Sequence, residues 1–416
     1  MNPTKNRKRI LFKLWQFPHL SETFITAQII TAIKCGFEVS VLVKEALDFE
    51  ESKQKSLIEE YEITDKIIPE DYKVPKNKLF RLLKIAFLLP NIFRNFIFFR
   101  RFLKEQKKLS LSLFYQFHFY TKFKDFDIIH VQYGTNRSPI DNFKKIGFFN
   151  SKLIVSFHGH DAFFPINGFI ENNGYYDDLF LYGDLIIANT PYLARKIEEL
   201  GCPAQKLKTI PVGVDASFFN GEKKKNQIEE SFQLISVGRL DKVKGHKYAI
   251  KVVKSLKAKG FPVHLSIIGE GEERLALKNL IKEFKLESEV SLIGKKSQAE
   301  VKDYLLSGNL YILAAVPVEN NRRETQGLAT LEAQACGLPV VVFDSGGVKY
   351  TLKDGETGFI VPEFDTDKMV EKIEMLFSNR KKLETMSANA KAFVTQNFAQ
   401  AIIDQRWCNL YSELVK

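Results

Sequence analysis

The sequence alternates short apolar runs with amphipathic helical stretches in two separate passages, and this alternation constrains the fold more than any other feature. Apolar, β-branched runs separated by helical patterns are typical of strand–helix–strand units that form a parallel sheet. In the first passage the runs are RILFKLW, EVSVLVK, DIIHVQYG, KLIVSFHG and DLIIANT. In the second passage they are FQLISVGRL, VHLSIIGEG, VSLIGKK, LYILAAVPV and LPVVVF. The sequence therefore predicts an α/β protein with two parallel sheets.

The length of the chain and the segment between the two passages predict two domains. A chain of 416 residues exceeds what one hydrophobic core usually supports, so two domains of about 200 residues are expected. The connecting segment runs through turn residues into the solvated stretch Gly221–Glu230, and we place the boundary near residues 215–230. Helices are predicted between the apolar runs, among them Ser21–Lys34, Pro191–Leu200, Lys247–Lys259 and Glu272–Phe284.

Composition and cysteine content indicate an ordinary folded protein. Hydrophobic residues make up 45% of the chain and charged residues 27%, which excludes a disordered class. The four cysteines form no Cys-x-x-Cys pair; they are Cys35, Cys202, Cys336 and Cys408. We therefore expect neither a disulfide framework nor a zinc site, and a reducing cytosol fits. The basic N-terminus is not followed by a signal-type apolar core.

Parallel sheets bind ligands beyond the C-terminal ends of their strands, so the residues after each apolar run are the informative ones. The segment RLDKVKG follows FQLISVG and contains Arg239, Asp241 and Lys244. Cations beside a glycine and before a helix suit a diphosphate, and the N-terminus of the helix adds a positive field. Equally, Lys244 could be solvated and Arg239 could pair with Asp241.

The segment GEGEE is weaker evidence of a nucleotide loop. Gly269 and Gly271 allow a tight turn from strand to helix, and Glu272 and Glu273 favour the start of a helix. This structural account of the segment is sufficient by itself.

Glu324 and Glu332 lie eight positions apart. On one continuous helix they would be separated by about 12 Å along the axis and about 80° around it, too far to share a proton. The sequence instead predicts a helix from Gly327 to Gly337, with Glu324 on the preceding loop. Two carboxylates on one rigid turn can accept hydroxyl donors from the two ends of an extended ligand, such as a nucleotide sugar. The alternative is that both are ordinary surface charges.

These motifs together resemble retaining glycosyltransferases of the two-Rossmann-domain (GT-B) type, family 4. The family's E-x7-E signature corresponds to Glu324 and Glu332, followed by AQACGLPVV. Its phosphate-binding loop, next strand end and interdomain passage correspond to SVGRLDKVKG, IIGEGEE and TIPVGVD, and DGETGFIVP and RWCNLYSELVK also fit. The resemblance covers most of the chain, is strongest over Ser236–Pro362, and extends to exopolysaccharide and colanic-acid-type members.

The resemblance implies a donor site in the second half of the chain. Arg239 and Lys244 would stabilise the leaving diphosphate, Glu324 would position the hexose, and Glu332 would position the ribose. The implied donor-binding residues are Arg239, Lys244, Gly269, Glu324, Gly327, Leu328 and Glu332. The pair Thr325–Gln326 replaces a Gly-Phe that is frequent in the family.

The resemblance also implies an acceptor side in the first half. The segment VSFHGHD is similar to the family's histidine motif, which places His158 beside the transferred sugar and Asp161 where it orients the loop or meets the acceptor. The segment QFPHLSETFI resembles the first strand-end loop of exopolysaccharide members and adds Ser21 and Glu22, although many members have a Gly-rich loop there. Without the resemblance, a histidine after a buried strand is more often a scaffold residue. The implied catalytic residues are His158, Arg239, Lys244 and Glu324.

The family architecture implies two Rossmann-like domains facing a central cleft. The acceptor domain would span residues 1–215, the nucleotide-sugar domain 216–398, and a C-terminal helix, 399–416, would return to the first domain. The implied reaction moves a hexose-type sugar from a nucleotide sugar, with UDP as the expected carrier, to a hydroxyl of a lipid-linked or other saccharide, with retention at the anomeric carbon. No metal or other cofactor is implied. The sequences DFD (125–127) and DTD (365–367) are predicted to be caps and turns rather than metal motifs.

The segment 76–124 carries most of the net charge of the chain. It contains twelve Lys or Arg residues and one acid, Glu105, so its net charge equals the +11 of the whole chain. Its apolar runs are too short to span a bilayer, and Pro90 breaks them further. Interfacial helices on an anionic membrane would explain the pattern, at the inner face of the cell membrane. The alternative is that the apolar residues pack into the core and the cations are solvated. Nucleic acid is not expected, because the chain offers no recognition module.

Two other functions remain open from the sequence. One is a nucleotide-sugar epimerase or hydrolase on the same fold. The other is a non-catalytic, membrane-bound partner subunit, against which the presence of both glutamates with Arg239 and Lys244 argues.

Overall fold

A computed structural model describes residues 7–18, 22–49, 54–106, 108–222 and 231–416. The chain forms two compact units. The first comprises Met1–Ala188, Ala194–Ile210 and Asp404–Lys416, and the second comprises Asn189–Leu193 and Pro211–Ile403. Most of the predicted solvated linker lies outside the described residues.

The first unit contains a seven-stranded parallel sheet with the order β3-β2-β1-β4-β5-β6-β7. Its strands are β1 (Arg9–Phe17), β2 (Glu38–Ala46), β3 (Ile67–Pro69), β4 (Ile128–Gln132), β5 (Lys152–Phe157), β6 (Leu185–Ala188) and β7 (Leu207–Thr209). In register, Ile10 of β1 pairs with Val39 of β2 and with Ile128 of β4. Every residue of β4 is buried, as expected for a strand covered on both faces.

Eight helices are described in the first half of the chain. They are α1 (Thr23–Lys34), α2 (Lys55–Glu60), α3 (Lys78–Arg94), α4 (Phe96–Lys104), α5 (Ser112–Tyr120), α6 (Ile140–Lys145), α7 (Asp177–Tyr182) and α8 (Pro191–Glu199). Helices α1 and α8 confirm two predicted helices to within two residues at each end.

The second unit contains a six-stranded parallel sheet with the order β10-β9-β8-β11-β12-β13. Its strands are β8 (Phe232–Val237), β9 (Val263–Ile268), β10 (Val290–Gly294), β11 (Leu310–Leu313), β12 (Val340–Phe343) and β13 (Gly358–Val361). All ten predicted strands are present, and β3, β7 and β13 were missed. These three have only three or four residues each, too few to show a period.

The helices of the second half complete the α/β pattern and bury both faces of the second sheet. They are α9 (Ala216–Phe219), α10 (His246–Ala258), α11 (Arg274–Glu283), α12 (Gln298–Ser307), α13 (Leu328–Ala335), α14 (Thr366–Ser378), α15 (Arg380–Asn397) and α16 (Gln400–Leu414). Neighbouring residues of β8 enter different cores, because side chains alternate across a strand: Leu234 joins one hydrophobic cluster and Ile235 the other.

A disulfide joins Cys35 to Cys408, although the scattered cysteines predicted no disulfide framework. Cys35 directly follows α1, and Cys408 lies on α16, within the part of that helix that belongs to the first unit. Their Cα atoms are 5.8 Å apart although 373 positions separate them in sequence. Sequence spacing cannot reveal such a pair. Cys202 and Cys336 are buried, and the Cys336 thiol lies 3.1 Å from the Phe219 carbonyl oxygen.

The basic segment 76–124 forms α3, α4 and α5, and it is partly core and partly surface. Helix α3 continues through Pro90, so the predicted break there was wrong. Helix α5 is buried, and Phe102 of α4 stacks on Phe143 with ring centroids 5.0 Å apart. By contrast, six large apolar side chains of α3 are exposed: Leu79, Phe80, Leu82, Leu83, Phe87 and Phe93. Among the described residues no single helix is long and apolar enough to cross a membrane, whereas α3 and α4 together meet that criterion with a bend of 106°.

Candidate functional site

The loops after β8, β9 and β11, together with α13, hold the predicted donor residues of the second unit, and the loops after β1 and β5 hold the described acceptor residues of the first. Because all strands of each sheet are parallel, their C-terminal ends meet at one edge of that sheet.

The turn between β8 and α10 carries Lys244 toward the end of β11. The Asp241 side chain accepts a hydrogen bond from the Val243 amide at 2.9 Å and starts this turn. Gly245 has a φ of +66°, and a Cβ atom there would collide with the Ala314 carbonyl just beyond β11. Only glycine therefore allows this close approach, and it brings the preceding Lys244 to the strand edge.

Lys244 and Glu324 form an ion pair at that edge. Lys244 Nζ lies 2.6 Å from Glu324 Oε2, and the side chains are only 16% and 15% exposed. The other oxygen of Glu324, Oε1, accepts a hydrogen bond from the Gly327 amide at 3.1 Å. Burial acts to raise the pKa of the Glu324 carboxyl, but Lys244 and the Gly327 amide outweigh it and hold the pKa below its usual value. Glu324 is therefore an ionised acceptor fixed from two sides.

Several residues that the sequence did not single out support the backbone around Glu324. The Gly347 amide donates to the Glu324 carbonyl at 2.8 Å, and a Cβ atom on Gly346 or Gly347 would collide with the Glu324 or Thr325 carbonyl. The Gln326 side chain bonds both the amide and the carbonyl of Val212, at 2.9 and 2.8 Å. The glycine pair after the predicted strand LPVVVF was the one available signal.

Glu332 lies on α13, one turn beyond the start of that helix, which begins at Leu328 after Gly327. Burial raises the pKa of Tyr311 well above its usual value, and the charges of Glu332 and Glu324 act in the same direction. Both carboxylates are therefore within electrostatic reach of one hydroxyl. That hydroxyl donates to the Val237 carbonyl at the end of β8, at 3.2 Å.

Arg239 lies on the same loop as Lys244 but is 78% exposed, and its Nη2 is 3.3 Å from Asp241 Oδ2. This ion pair is the alternative to diphosphate binding that the sequence left open for Arg239. The Arg239 carbonyl lies 3.2 Å from Nε2 of His246, a buried residue that the sequence analysis missed. His246 thus supports the backbone of the loop and leaves the guanidinium toward solvent.

Gly269 ends β9 with a φ of +147°, and a Cβ atom there would collide with the Gly238 carbonyl. The Leu240 amide donates to the Glu270 carbonyl at 2.9 Å, so the loops after β8 and β9 lie against each other. The glycine is thus required by this close packing of backbones, whatever ligand the loops bind.

In the first unit, the fully buried Asp161 carboxylate joins the loops after β4 and β5. Its Oδ1 accepts the amides of His158 and Gly159 at 3.1 and 2.9 Å, and its Oδ2 accepts the Gly134 amide at 2.8 Å. Of the two predicted roles for Asp161, orienting the loop is the one that this geometry performs.

His158 lies between aromatic rings at the end of β5. Its ring centroid is 4.8 Å from that of Phe24 and 4.6 Å from that of Tyr133, and its Nε2 lies 2.8 Å from Gln132 Oε1. Burial lowers the pKa of His158 to about 4, despite the opposing charge of Asp161. The imidazole is therefore neutral near pH 7.

A cavity of about 410 Å³ opens beside these residues. Its wall includes Trp15, Tyr133, Tyr175, Asn136, His160 and Glu22. Glu22 accepts a hydrogen bond from the Tyr133 hydroxyl at 2.7 Å, and Trp15 is 58% exposed. Aromatic faces beside amide and carboxylate groups suit a saccharide. The predicted site residue Ser21 lies outside the described residues.

Of the two Asp-x-Asp sequences, the second acts as the predicted cap, because Asp365 accepts the Lys368 amide at the start of α14 at 2.8 Å. In the first, Asp127 accepts the amide of Arg9, at the start of β1, at 2.8 Å. Within the described ranges no group of three or more His, Cys, Asp or Glu side chains is placed to hold a metal ion.

Comparison with protein families finds two matches that adjoin along the chain. The profile described as Glycosyltransferase Family 4 matches residues 32–218, and the profile described as Glycosyl transferases group 1 matches residues 218–393.

Among curated proteins, the chain is 26% identical over 415 residues to the amylovoran biosynthesis glycosyltransferase AmsK of Erwinia amylovora, covering 98% of this chain and 100% of that protein. It is 27% identical over 413 residues to the putative colanic acid biosynthesis glycosyltransferase WcaL of Salmonella typhimurium, covering 97% of this chain and 99% of that protein. Among solved structures, Anabaena HepE in complex with UDP aligns with a TM-score of 0.69 at 17% identity, covering 98% of this chain and 100% of that one.

Proposed function

Because the chain belongs to the group 1 and family 4 glycosyltransferases of the GT-B type, we propose that it transfers a hexose-type sugar from a nucleotide sugar to a saccharide hydroxyl, with retention, in cell-surface polysaccharide synthesis. The relatives named for amylovoran and colanic acid synthesis align over nearly their whole lengths, which supports the polysaccharide role. HepE was solved with UDP and with UDP-glucose, and this supports UDP as the carrier.

The observation that carries the proposal is the Lys244–Glu324 pair at the strand edge of the second unit. An ionised carboxylate that is held by an ammonium and a backbone amide can accept a sugar hydroxyl without moving. Glu324 takes the hexose in this proposal, and Glu332 takes the ribose. Lys244, Arg239 and the start of α13 at Leu328 face the diphosphate, where the N-terminus of α13 adds a positive field, while the Gly327 amide holds Glu324.

The proposed chemistry uses the substrate's own groups and requires no metal. The acceptor hydroxyl oxygen bonds to the anomeric carbon on the face from which the diphosphate departs. The bond from that carbon to the diphosphate oxygen breaks, and its electron pair leaves with the diphosphate. The hydroxyl proton passes to a phosphate oxygen. The protein positions the two substrates and supplies positive charge, because Lys244 and Arg239 neutralise the departing diphosphate.

The acceptor side of the proposal rests on the first unit. His158, held by the Asp161 loop, lies beside the transferred sugar, and Ser21 and Glu22 belong to the acceptor loop. The cavity lined by Trp15 and Tyr133 offers a place for the acceptor saccharide next to them.

We also propose that the acceptor is lipid-linked and that α3 docks on the inner, anionic face of the cell membrane, with the protein cytoplasmic. Exposed apolar side chains such as Phe87, which is 83% exposed, alternate with Lys and Arg along this helix. Such a surface enters the interface of a bilayer while its cations meet anionic headgroups. The buried half of the segment, around Phe102, anchors the helices to the first unit.

A donor panel tests the proposal. The melting temperature is measured with UDP-, GDP- and dTDP-linked hexoses, since a ligand at 100 times its dissociation constant adds about 2.7 kcal/mol of stability. One donor class should raise the melting temperature of the wild type and not that of Glu332→Gln. If no nucleotide sugar binds, the proposal fails and the non-catalytic subunit is favoured.

Product analysis then separates the remaining enzymes. Incubation with the bound donor and a saccharide acceptor should form a new glycosidic bond that keeps the anomeric configuration of the donor, as read by proton NMR. Free sugar alone would indicate a hydrolase, and an altered nucleotide sugar would indicate an epimerase. Either product would overturn the transferase proposal.

A further inference from the structure

A chain of buried amide groups lies directly beneath His158. Gln132, the last residue of β4, is fully buried, and its Oε1 is 2.8 Å from His158 Nε2. Its Nε2 donates to Oε1 of Gln28 on α1 at 2.7 Å, and Gln28 is itself buried. Neither glutamine is a reacting or substrate-binding group in the proposed reaction.

The buried His130 provides Gln132 with a second neighbour. The Gln132 Nε2 atom is 3.4 Å from His130 Nε2, which also meets the Ser156 hydroxyl at 2.8 Å. On its other side, His130 Nδ1 meets the Tyr411 hydroxyl of α16 at 2.9 Å. The amide nitrogen of Gln132 therefore faces Gln28 Oε1 and His130 Nε2, and its oxygen is directed to His158.

Donor and acceptor roles along this chain determine the protonation of the His158 ring. An amide oxygen only accepts, so the His158 nitrogen facing it must carry a hydrogen. A neutral imidazole has one such hydrogen, so His158 is the Nε2–H tautomer. The contact also fixes the rotation of the ring between Phe24 and Tyr133.

The geometry points to Gln132 as a positioning residue for His158: its amide oxygen, held by Gln28, fixes the tautomer and orientation of the imidazole. The tautomer follows from the structure alone, whereas its importance for transfer rests on the proposed function. The groups that face His158 are Asp161 and His160 from its own loop and His130 and Gln132 from β4.

Nitrogen NMR of the wild type and of Gln132→Met tests this inference. In unliganded protein labelled with ¹⁵N-histidine, the His158 signals, assigned with His158→Asn, should show a protonated Nε2 and an unprotonated Nδ1 at pH 7. Methionine keeps the side-chain volume but removes the acceptor, so Gln132→Met should shift these signals toward a tautomer mixture. A wild-type Nδ1–H tautomer would overturn the inference, whether or not the enzyme transfers sugar.

Kinetics test the effect on transfer. Gln132→Met should lower kcat by roughly tenfold to a hundredfold with little change in the donor KM, because a displaced group near the reacting sugar costs orientation. Gln132→Glu keeps an acceptor at Nε2 and should restore much of kcat at pH 8. Its charge should also shift the acidic limb of the pH profile upward, because a carboxylate favours the imidazolium.

Ser156→Ala is the matched control, since it removes a buried hydrogen bond to His130 without touching His158. It should leave the His158 signals and kcat near wild type. If Ser156→Ala lowers kcat as much as Gln132→Met, or if Gln132→Met leaves both tautomer and kcat unchanged, Gln132 is merely structural and the inference fails.

Discussion

Lys244 Nζ lies 2.6 Å from Glu324 Oε2, although 80 positions separate the two residues in sequence. The pair links the loop after β8 to the loop after β11, and both side chains are mostly buried. Removing one partner of such a pair leaves an uncompensated charge, which costs roughly 3–5 kcal/mol. The pair therefore couples the stability of the second unit to the charge at the proposed diphosphate site.

Replacing Lys244 with methionine should reduce both stability and turnover. The aliphatic stem, which lies against Gly238, is kept, but Glu324 loses its counter-charge. We expect the free energy of unfolding at pH 7 to fall by roughly 3 kcal/mol and kcat to fall on the order of 10²-fold. Urea unfolding and steady-state kinetics measure the two effects, with Lys242→Met on the same turn as the control.

The stability deficit of Lys244→Met should shrink in acid. In the wild type the pKa of Glu324 is lowered, so its pairing stabilises the fold above the unfolded pKa, and this stability is lost as pH falls through the folded pKa. Protonating Glu324 in the variant removes the unpaired charge. A deficit that stays constant from pH 7 to pH 4 would contradict the pairing as its cause.

Arg239→Ala should separate turnover from stability. The guanidinium is 78% exposed, and within the described residues its ion pair is with Asp241. The free energy of unfolding should therefore change by less than about 0.5 kcal/mol. We expect kcat to fall by roughly 10²-fold, with a smaller change in donor KM, if it stabilises the departing diphosphate. Arg274→Ala, which removes an exposed arginine paired with Glu270, is the control. Normal turnover of Arg239→Ala/Lys244→Ala would overturn both assignments.

The sequence predicted the long strands, several of the helices and the start of α13 near Gly327, because periodicity, glycine and proline are local signals. It did not predict the Cys35–Cys408 disulfide or the bonds of Gln326 to Val212, because such contacts depend on tertiary pairing of distant segments. The sequence also did not predict which parts of segment 76–124 lie in the core and which lie at the surface. Phe102 and Phe87 are the same residue type, and only the path of the chain buries one and exposes the other.

Buried histidines should make the protein less stable below about pH 6.5. Burial lowers the pKa of His130 to about 3 and those of His158 and His246 to about 4. Below the unfolded pKa the unfolded chain binds protons that the folded chain does not, so the free energy of unfolding falls with pH. At 1.36 kcal/mol per pH unit, His130 alone costs roughly 3 kcal/mol by pH 4.

Urea unfolding between pH 7 and pH 4 measures this slope. His130→Asn should make the slope shallower, because the titrating group is gone. Ser156→Ala keeps His130 and should lower stability by a similar amount at each pH. An unchanged slope in His130→Asn would contradict its neutral burial.

Trp15→Ala should weaken binding of the acceptor without affecting binding of the donor. The indole is 58% exposed in the wall of the cavity of the first unit, where a sugar ring can stack on it. Loss of about 1.4 kcal/mol of binding free energy would raise the acceptor KM about tenfold. Trp15→Phe should recover most of the lost affinity. Leu181→Ala, an exposed residue of α7, is the control. An unchanged acceptor KM would place the acceptor elsewhere.

Charges on the exposed face of α3 should abolish membrane binding but spare catalysis. Phe80, Leu83 and Phe87 have the i, i+3, i+7 spacing of one helical face, and they are 61%, 57% and 83% exposed. The wild type should co-sediment with phosphatidylglycerol vesicles and less with phosphatidylcholine, and salt should weaken the binding, since each basic residue near an anionic surface contributes about 1 kcal/mol. The variant Phe80→Glu/Leu83→Glu/Phe87→Glu should stay in the supernatant with either kind of vesicle. It should still transfer sugar to a lipid-free acceptor.

Leu275→Glu supplies the matched control for that experiment, because Leu275 is a 69% exposed apolar residue of α11 in the second unit. It should bind vesicles like the wild type, since it leaves the exposed apolar face of α3 and the positive charge of segment 76–124 intact. Equal binding of the wild type to neutral and anionic vesicles would remove the electrostatic part of the proposal. No binding to either would mean that the exposed face of α3 meets another partner, and α3 would then contribute nothing to the choice of a lipid-linked acceptor.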